Sequence, residues 1–331
     1  MPQQESFFAR LWREMRISFV LALPIVVGQL SSMAMNIIDT VLAGHYHPVT
    51  LAAVALGGAA WSVVILICIG VLMAISPSVA QLNGAQKRGE IGALFRQAIW
   101  LALGLGFTLF FVVRAIPLGF EAMQITPEVI PEAERFIYSI SWGAPALALY
   151  FCFRNVSEGI AWTRPTLIFG LLGLVVLAPL GYVLMYTMAL GAAGLGTAVA
   201  ITLWLQSLGF FLYLKKEPHY ADLDLFVRFD APQWPAIAEL LRIGLPMGFT
   251  IFMEGGLFVA TALLVGQLGI VPLAAHQTAI LIASLTFMVP LGVAMATTVR
   301  VGHAVGAEDY LGIRRAANAG YAIMLISQTV S

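Results

Sequence analysis

Charge is what this chain of 331 residues has least of. Asp, Glu, Lys and Arg make up 10% of it, against roughly 25% in a soluble domain. The 17 basic residues cancel the 17 acidic ones, so no surplus of either sign points to nucleic acid. Cysteine is nearly absent: Cys68 and Cys152 both sit in apolar runs and read as packing. No Walker loop, G-x-S-x-G, H-E-x-x-H or paired C-x-x-C occurs, which leaves an ATPase or a familiar hydrolase unsupported and implies no cofactor. No signal peptide is evident; a polar, basic N-terminus leads directly into a full-length apolar span.

What is abundant is apolar sequence, 60% of the residues, with a mean hydropathy of +0.91. So apolar a polypeptide cannot cover itself with polar surface. An all-α polytopic membrane protein is expected, its spans helical because lipid satisfies no backbone hydrogen bonds. Apolar spans fall near 17–40, 51–76, 93–117, 136–156, 166–188, 191–214, 243–267 and 273–298, and a ninth starts near Ala316. Under that count Arg10, Arg13, Arg16, Lys87, Arg88, Arg96, Arg154, Arg164, Lys215, Lys216, Arg228, Arg242, Arg300, Arg314 and Arg315 share one side, and only Arg114 and Arg135 take the other. Positive charge is retained in the cytoplasm, which places the N-terminus inside. Leu118 to Glu134, with Glu121, Glu128, Glu132 and Glu134, reads as an external connection, and Lys215 to Glu239 as a long internal one.

The sequence also repeats itself. Leu23-Pro24 aligns with Leu245-Pro246, Gly44 with Gly266, and Leu51-Ala52-Ala53 with Leu273-Ala274-Ala275. Gly70-Val71 and Met73-Ala74 align with Gly292-Val293 and Met295-Ala296, and Gly84-Ala85 with Gly306-Ala307, all at one offset of 222 (245 − 23). Matched glycines and prolines in one register are a repeat rather than shared composition. An even number of spans separates the copies, so they run in parallel about an axis normal to the membrane, with a substrate site expected between them. The expected organisation is a six-helix lobe over 1–214, a linker over 215–242 and a second lobe over 243–331. Two complete copies need about twice the offset, so the second lobe is expected to be incomplete, a truncation at the C-terminal end.

Glu254 is the leading candidate for chemistry. It lies 11 residues (254 − 243) into the run from Ile243, about 16 Å into an apolar core of about 30 Å. An acid there is costly and marks an ion pathway by default. Burial is expected to raise its pKa into the range of physiological proton exchange. Gly255 and Gly256 beside it are expected to admit a close backbone or loosen the helix. Asp39, near the outer end of the first span, is the second candidate; by the offset it matches Thr261, and Glu254 matches Ser32, so the halves share a scaffold but not their acids. His45 and His47 lack further ligands and make no metal site. His276, beside Gln277, reads as polar packing at a helix start; Glu158 and Arg164 flank Trp162 in a cytoplasmic turn, read as a solvated loop with a salt-bridged gate as the alternative.

The segments LPIVVGQLSSMAMNIIDTVLAG, SPSVAQLNGAQKRGEI, FRNVSEGIAWTRP and LPMGFTIFMEGGLFVATALL, followed by PLAAHQ, resemble the multidrug and toxic compound extrusion (MATE) family in its NorM-like bacterial branch. The resemblance implies two six-helix lobes, a bacterial inner-membrane location and, for the full-length protein, a monomer. It implies an antiporter that exports small cationic organic compounds in exchange for Na⁺ or H⁺. Asp39 matches the family's first-helix acid and Glu254 its seventh-helix acid. In LAPLGY the family pattern usually has Asn where Leu177 and Gly181 stand, which removes polar support from Asp39 and shifts weight to Glu254. The alternatives are a lipid-linked glycan flippase of the related superfamily, disfavoured because no Lys or Arg is expected well inside a span, and a membrane enzyme using Asp39 and Glu254 as acid and base. The topology predicts that a cysteine introduced at Pro48 or Val271 labels from outside with an impermeant maleimide, whereas one at Lys87 or Asp309 does not. Outside labelling at Lys87 overturns the span count.

Overall fold

The computed structural model describes residues 7–120, 125–228, 230–266 and 270–330. Glu121 lies outside them, as do the side chains of Arg10 and Gln277 and those of residues 271–274. Among the described residues the chain is built of α-helices: α1 (Phe7–Tyr46), α2 (Pro48–Leu72), α3 (Ile75–Gly84), α4 (Arg88–Ala115), α5 (Ile130–Ser141), α6 (Ala144–Gly159), α7 (Arg164–Tyr182), α8 (Gly191–Lys216), α9 (Trp234–Gly266), α10 (Ile270–Gly306) and α11 (Tyr310–Val330). Seven spans among them are long and apolar enough to cross a membrane, α2 and α3 together forming one from Pro48 to Gly84.

The fourth expected span is broken. α5 and α6 meet at 44°, and counted as one they bring the crossings to eight. Pro145 is the cause: it opens α6 without an N–H to continue the ladder of α5. The ninth, α11, is helical as expected but is not among the crossing spans. Arg314 and Arg315 near its start dilute its apolar character. α9 begins at Trp234, ahead of the apolar run from Ile243, so the connection from α8 is shorter than the sequence suggested.

That connection is pinned rather than loose. After a 3₁₀ turn at Pro218–Leu223 the polypeptide lies along α4. Arg96 Nε donates to Asp230 at 2.6 Å and its Nη1 to the Asp224 carbonyl at 2.7 Å. Gln97 donates to the Ala231 carbonyl at 3.1 Å and accepts from the Gln233 N–H at 2.7 Å. Trp100 Nε1 reaches the Asp230 carbonyl at 2.9 Å. Ser157 Oγ donates to the Trp162 carbonyl at 2.6 Å, so the Tyr220 hydroxyl, 2.7 Å away, is the donor to Ser157. Burial pushes the Tyr220 phenol above its usual pKa, against the opposing pull of Ser157, and keeps that proton in place.

The main core is built mostly from α1–α8, includes Phe95, Phe136, Phe153, Phe169 and Phe210, and takes in Tyr220, Leu223 and Leu225 of the connection and Ile237 and Leu240 of α9. A second cluster joins Leu21, Ala22 and Ile25 of α1 and Ala80 of α3 to Val293, Ala296 and Val299 of α10 and Ile323 of α11. This seam obeys the 222-residue offset in three dimensions. A β-carbon on Gly84 would stand 2.7 Å from the carbonyl carbon of His303, and one on Gly306 would stand 2.8 Å from that of Gln81. Those two contacts are one contact seen twice, since 306 − 84 and 303 − 81 are both 222. Gly292 against Val26 repeats as Gly70 against Gly248 in the same way. Helices in lipid gain little from burying apolar surface, so such close backbone approach is what joins them.

Gly84→Ala and Gly306→Ala should therefore lower the thermal unfolding midpoint in detergent by similar amounts, equivalent to about 1–3 kcal/mol of overpacking each. Gly256→Ala, with nothing within 4 Å of the added carbon, should not lower it. Unequal effects at Gly84 and Gly306 would break the equivalence.

Candidate functional site

Asp39 lies two turns before the end of α1, partly buried, with its Oδ1 shut off from the surface and without a hydrogen-bond partner among the described residues. α7 explains why. Pro179 sits inside α7, and the helix passes into a π turn over Val183–Thr187; a proline that removes a ladder bond favours such widening. The turn brings the Tyr186 hydroxyl to the Leu42 carbonyl at 2.7 Å, with Tyr46 edge-on and Tyr182 stacked on the Tyr186 ring. Leu177 is fully buried, and a β-carbon on Gly181 would stand 2.9 Å from Leu42 Cδ1. α7 thus presses apolar atoms on this stretch of α1 at Leu42. A carboxyl oxygen so placed gains from a bound cation or a proton.

Glu254 is not buried as expected. Its side chain is exposed, and so are Phe252, Met253, Leu257 and Phe258 around it. α9 packs on α2, α10 and α4; no described element covers the face that carries Glu254. Nor does a backbone approach Gly255, where a β-carbon would meet only Leu66 Cδ1 at 3.2 Å. Close backbone approach falls lower on α9, at Gly244 and Gly248 against Val71 and Gly70. Among the described residues no hydrogen bond or ion pair joins Asp39 to Glu254, which leaves the acid–base pair of the enzyme alternative without geometric support.

The structure assembles a polar centre that the sequence did not reveal. Arg154 Nε donates to Glu158 Oε1 at 2.7 Å inside α6, with the two side chains 3% and 1% exposed. Arg154 Nη1 donates to Gln29 of α1 at 3.2 Å, Thr166 of α7 donates to Glu158 at 3.0 Å, and Gln29 Nε2 lies 3.8 Å from Met295 Sδ of α10. Arg154 Nη2 has no partner among the described residues and, with Gln29, Ile69, Met73, Phe151, Asn155 and Met295, lines a narrow cavity between α1, α2, α6 and α10. Arg154 was expected at the cytoplasmic surface; it is instead a cation buried within the helices. The spacing of Arg154 and Glu158, one helical turn apart beside an apolar run, was the available signal. The pair is locally neutral, so the cavity is not strongly cationic.

Glu158 therefore pairs with Arg154 rather than with Arg164, which lies 4.9 Å over the Trp162 ring; Trp162 in turn stacks on His219 at 4.2 Å. His45 bonds its own helix at the Val41 carbonyl, and His47 caps α2 by accepting from Val49 N–H at 3.2 Å. No cluster of three metal-ligating side chains occurs among the described residues. His276 is not at a helix start, because α10 begins at Ile270, and its Nε2 is buried without a partner among the described residues. Both cysteines are buried and free.

Repeated, parallel, mostly apolar helices around a seam, with acids inside the spans, define a polytopic membrane protein of the transporter class. The MatE family model matches residues 24–183 and 246–330, two blocks whose starts are again 222 apart (246 − 24). The protein belongs to the MatE family. It is 51% identical to the probable multidrug resistance protein NorM of Xanthomonas campestris pv. campestris, over 97% of this chain and 71% of that protein. It is 36% identical to the multidrug resistance protein MdtK of Yersinia pseudotuberculosis, over 96% of this chain and 71% of that one. Among solved structures it superposes on the eukaryotic MATE transporter AtDTX14 with a TM-score of 0.87 at 19% identity, over 95% of this chain and 70% of that one. An outward-facing MATE transporter of the MOP superfamily gives 0.86 at 21% identity, over 99% of this chain and 73% of that one.

Removing one member of the buried pair, as in Arg154→Met or Glu158→Leu, should cost about 3–5 kcal/mol, because the other charge is left uncompensated. The double variant Arg154→Met/Glu158→Leu should lose much less than the sum. Thermal unfolding of the three variants in detergent measures this; additive losses would mean that the two charges are not coupled.

Proposed function

We propose that this protein is a secondary active multidrug efflux antiporter of the bacterial cytoplasmic membrane. It exports small cationic organic compounds against an inward flow of Na⁺ or H⁺, its N-terminus is cytoplasmic, and the full-length protein acts as a monomer. Its lobes divide as 1–214 and 243–331, joined by 215–242. Membership of the MatE family and the names of its relatives support the class. The observation that carries the mechanism is Asp39, a carboxylate within a crossing span whose Oδ1 has no partner among the described residues. Glu254 is the second coupling acid, in the first span of the other half.

The antiport step follows from competition. An ionised carboxylate in apolar surroundings holds either a coupling cation or a cationic substrate, and a proton cancels its attraction for both. Exchange requires that each occupant favour a different arrangement of the lobes, since a ligand with equal affinity for both shifts nothing. The π turn and Tyr186 fix α7 to α1 beside Asp39, so occupancy there is felt by both helices.

In energised membrane vesicles carrying the full-length protein, Glu254→Gln should abolish gradient-driven ethidium efflux at unchanged expression. Asp39→Asn should slow it about 5- to 150-fold, the range of a coupling free energy of about 1–3 kcal/mol. Imposing Na⁺ and H⁺ gradients separately identifies the driving ion. Wild-type rates in both variants would place the coupling site elsewhere.

A further inference from the structure

The seam follows the 222-residue offset in its glycine contacts, but its charges do not. Arg300 of α10 reaches across to α1, where Nη1 donates to the Glu14 carbonyl at 3.0 Å and to Ser18 Oγ at 2.6 Å, and Nη2 binds the Glu14 carboxylate. The Arg300 and Glu14 side chains are 17% and 14% exposed. The offset carries Arg300 onto Ser78, Glu14 onto Ala236 and Ser18 onto Leu240, so no equivalent clamp forms in the other half. Ser78 instead bonds within its own helix, to the Ala74 carbonyl at 2.9 Å. One turn beyond Arg300, His303 Nε2 lies 2.7 Å from the Gly159 carbonyl at the end of α6 and 3.2 Å from Asn83 Nδ2 of α3. Arg300 and His303, three residues apart, project from one face of α10 and draw α1, α3 and α6 together at the end of the molecule where the basic residues lie.

We propose that Arg300 is a positioning residue for transport: its clamp on Glu14 and Ser18 latches α10 to α1 and sets how often the basic end of the seam opens. The inference rests on the antiporter reading, which requires two arrangements of the halves. The glycine contacts are short-range and alike in both halves, so they hold the seam without favouring either exchange partner. The clamp adds a charge pair with two further hydrogen bonds on one side only. Parting α10 from α1 at this end strips a guanidinium of three acceptors, while parting the equivalent contact of α3 breaks no ion pair. The closed basic end is therefore the resting arrangement, and a group that binds more tightly to the open one must offset the clamp to reach it.

The test is a distance across the seam. Spin labels are placed at Lys87 and Ala307, exposed positions in the turns after α3 and α10, in the full-length protein reconstituted in lipid. The wild type should give one dominant short distance by double electron–electron resonance. Arg300→Gln and Glu14→Gln should each raise the long-distance population about tenfold, and the reversed pair Arg300→Glu/Glu14→Arg should bring it back toward the wild-type value. Size-exclusion profiles confirm that each variant is folded. Distances unchanged in both single variants overturn the latch, and so does a reversed pair as open as the single variants. The readout needs no transport, so a latch that holds while Asp39→Asn and Glu254→Gln keep wild-type efflux separates failure of the coupling acids from failure of this inference.

Discussion

Everything in this molecule depends on how closely two sets of helices approach at one seam. In water, apolar faces associate because burying them is favourable; in lipid that drive is absent, and dispersion between well-fitted surfaces takes its place. Fit demands small residues where backbones meet. Gly70, Gly248, Gly292, Gly84 and Gly306 supply them, at positions that one ancestral surface, used twice, would occupy. The pairing is isologous, with each half offering the other the same patch, and that is the geometry a duplicated unit inherits from a two-fold dimer.

The outline of this arrangement was legible in the sequence. Matched glycines and prolines carried the offset, and apolar runs the crossings. The glycines recorded the seam because only they fit there. What escaped was whatever depends on which face a residue presents. Arg154 reads as a surface charge because it stands near the end of an apolar run; its burial follows from the helices packed on α6 and from Gln29 on a distant helix. Glu254 reads as buried because depth along a helix is legible from position, whereas coverage by neighbours is not. The isolation of Asp39 was partly readable, since Leu177 and Gly181 visibly lack polar groups, but the π turn that brings Tyr186 to Leu42 had no visible precursor beyond Pro179.

The two kinds of buried charge play opposite roles. Arg154 and Glu158 pair with one another, and Gln29 and Thr166 add hydrogen bonds to them, which ties α1, α6 and α7 at their junction. Asp39 is left wanting. A scaffold that neutralises one intramembrane charge and withholds a partner from another leaves electrostatic demand at the second. That is how a site for exchangeable ions differs from a structural ion pair.

The strap along α4 has a mechanical consequence. Arg96, Gln97 and Trp100 hold the polypeptide as far as Gln233, and Ile237 and Leu240 seat the start of α9 in the main core. α9 is a helix of 33 residues, a rod about 50 Å long. A rod fixed at one end is a lever: a tilt of about 10° at Gln233 carries Gly266 through about 9 Å, while Gly244 and Gly248, close to the fulcrum, travel only about 3–4 Å. A tilt of that size parts the close glycine contacts near the base by a few ångströms and is magnified further at the tip, so the fit at Gly244 and Gly248 restrains the lever.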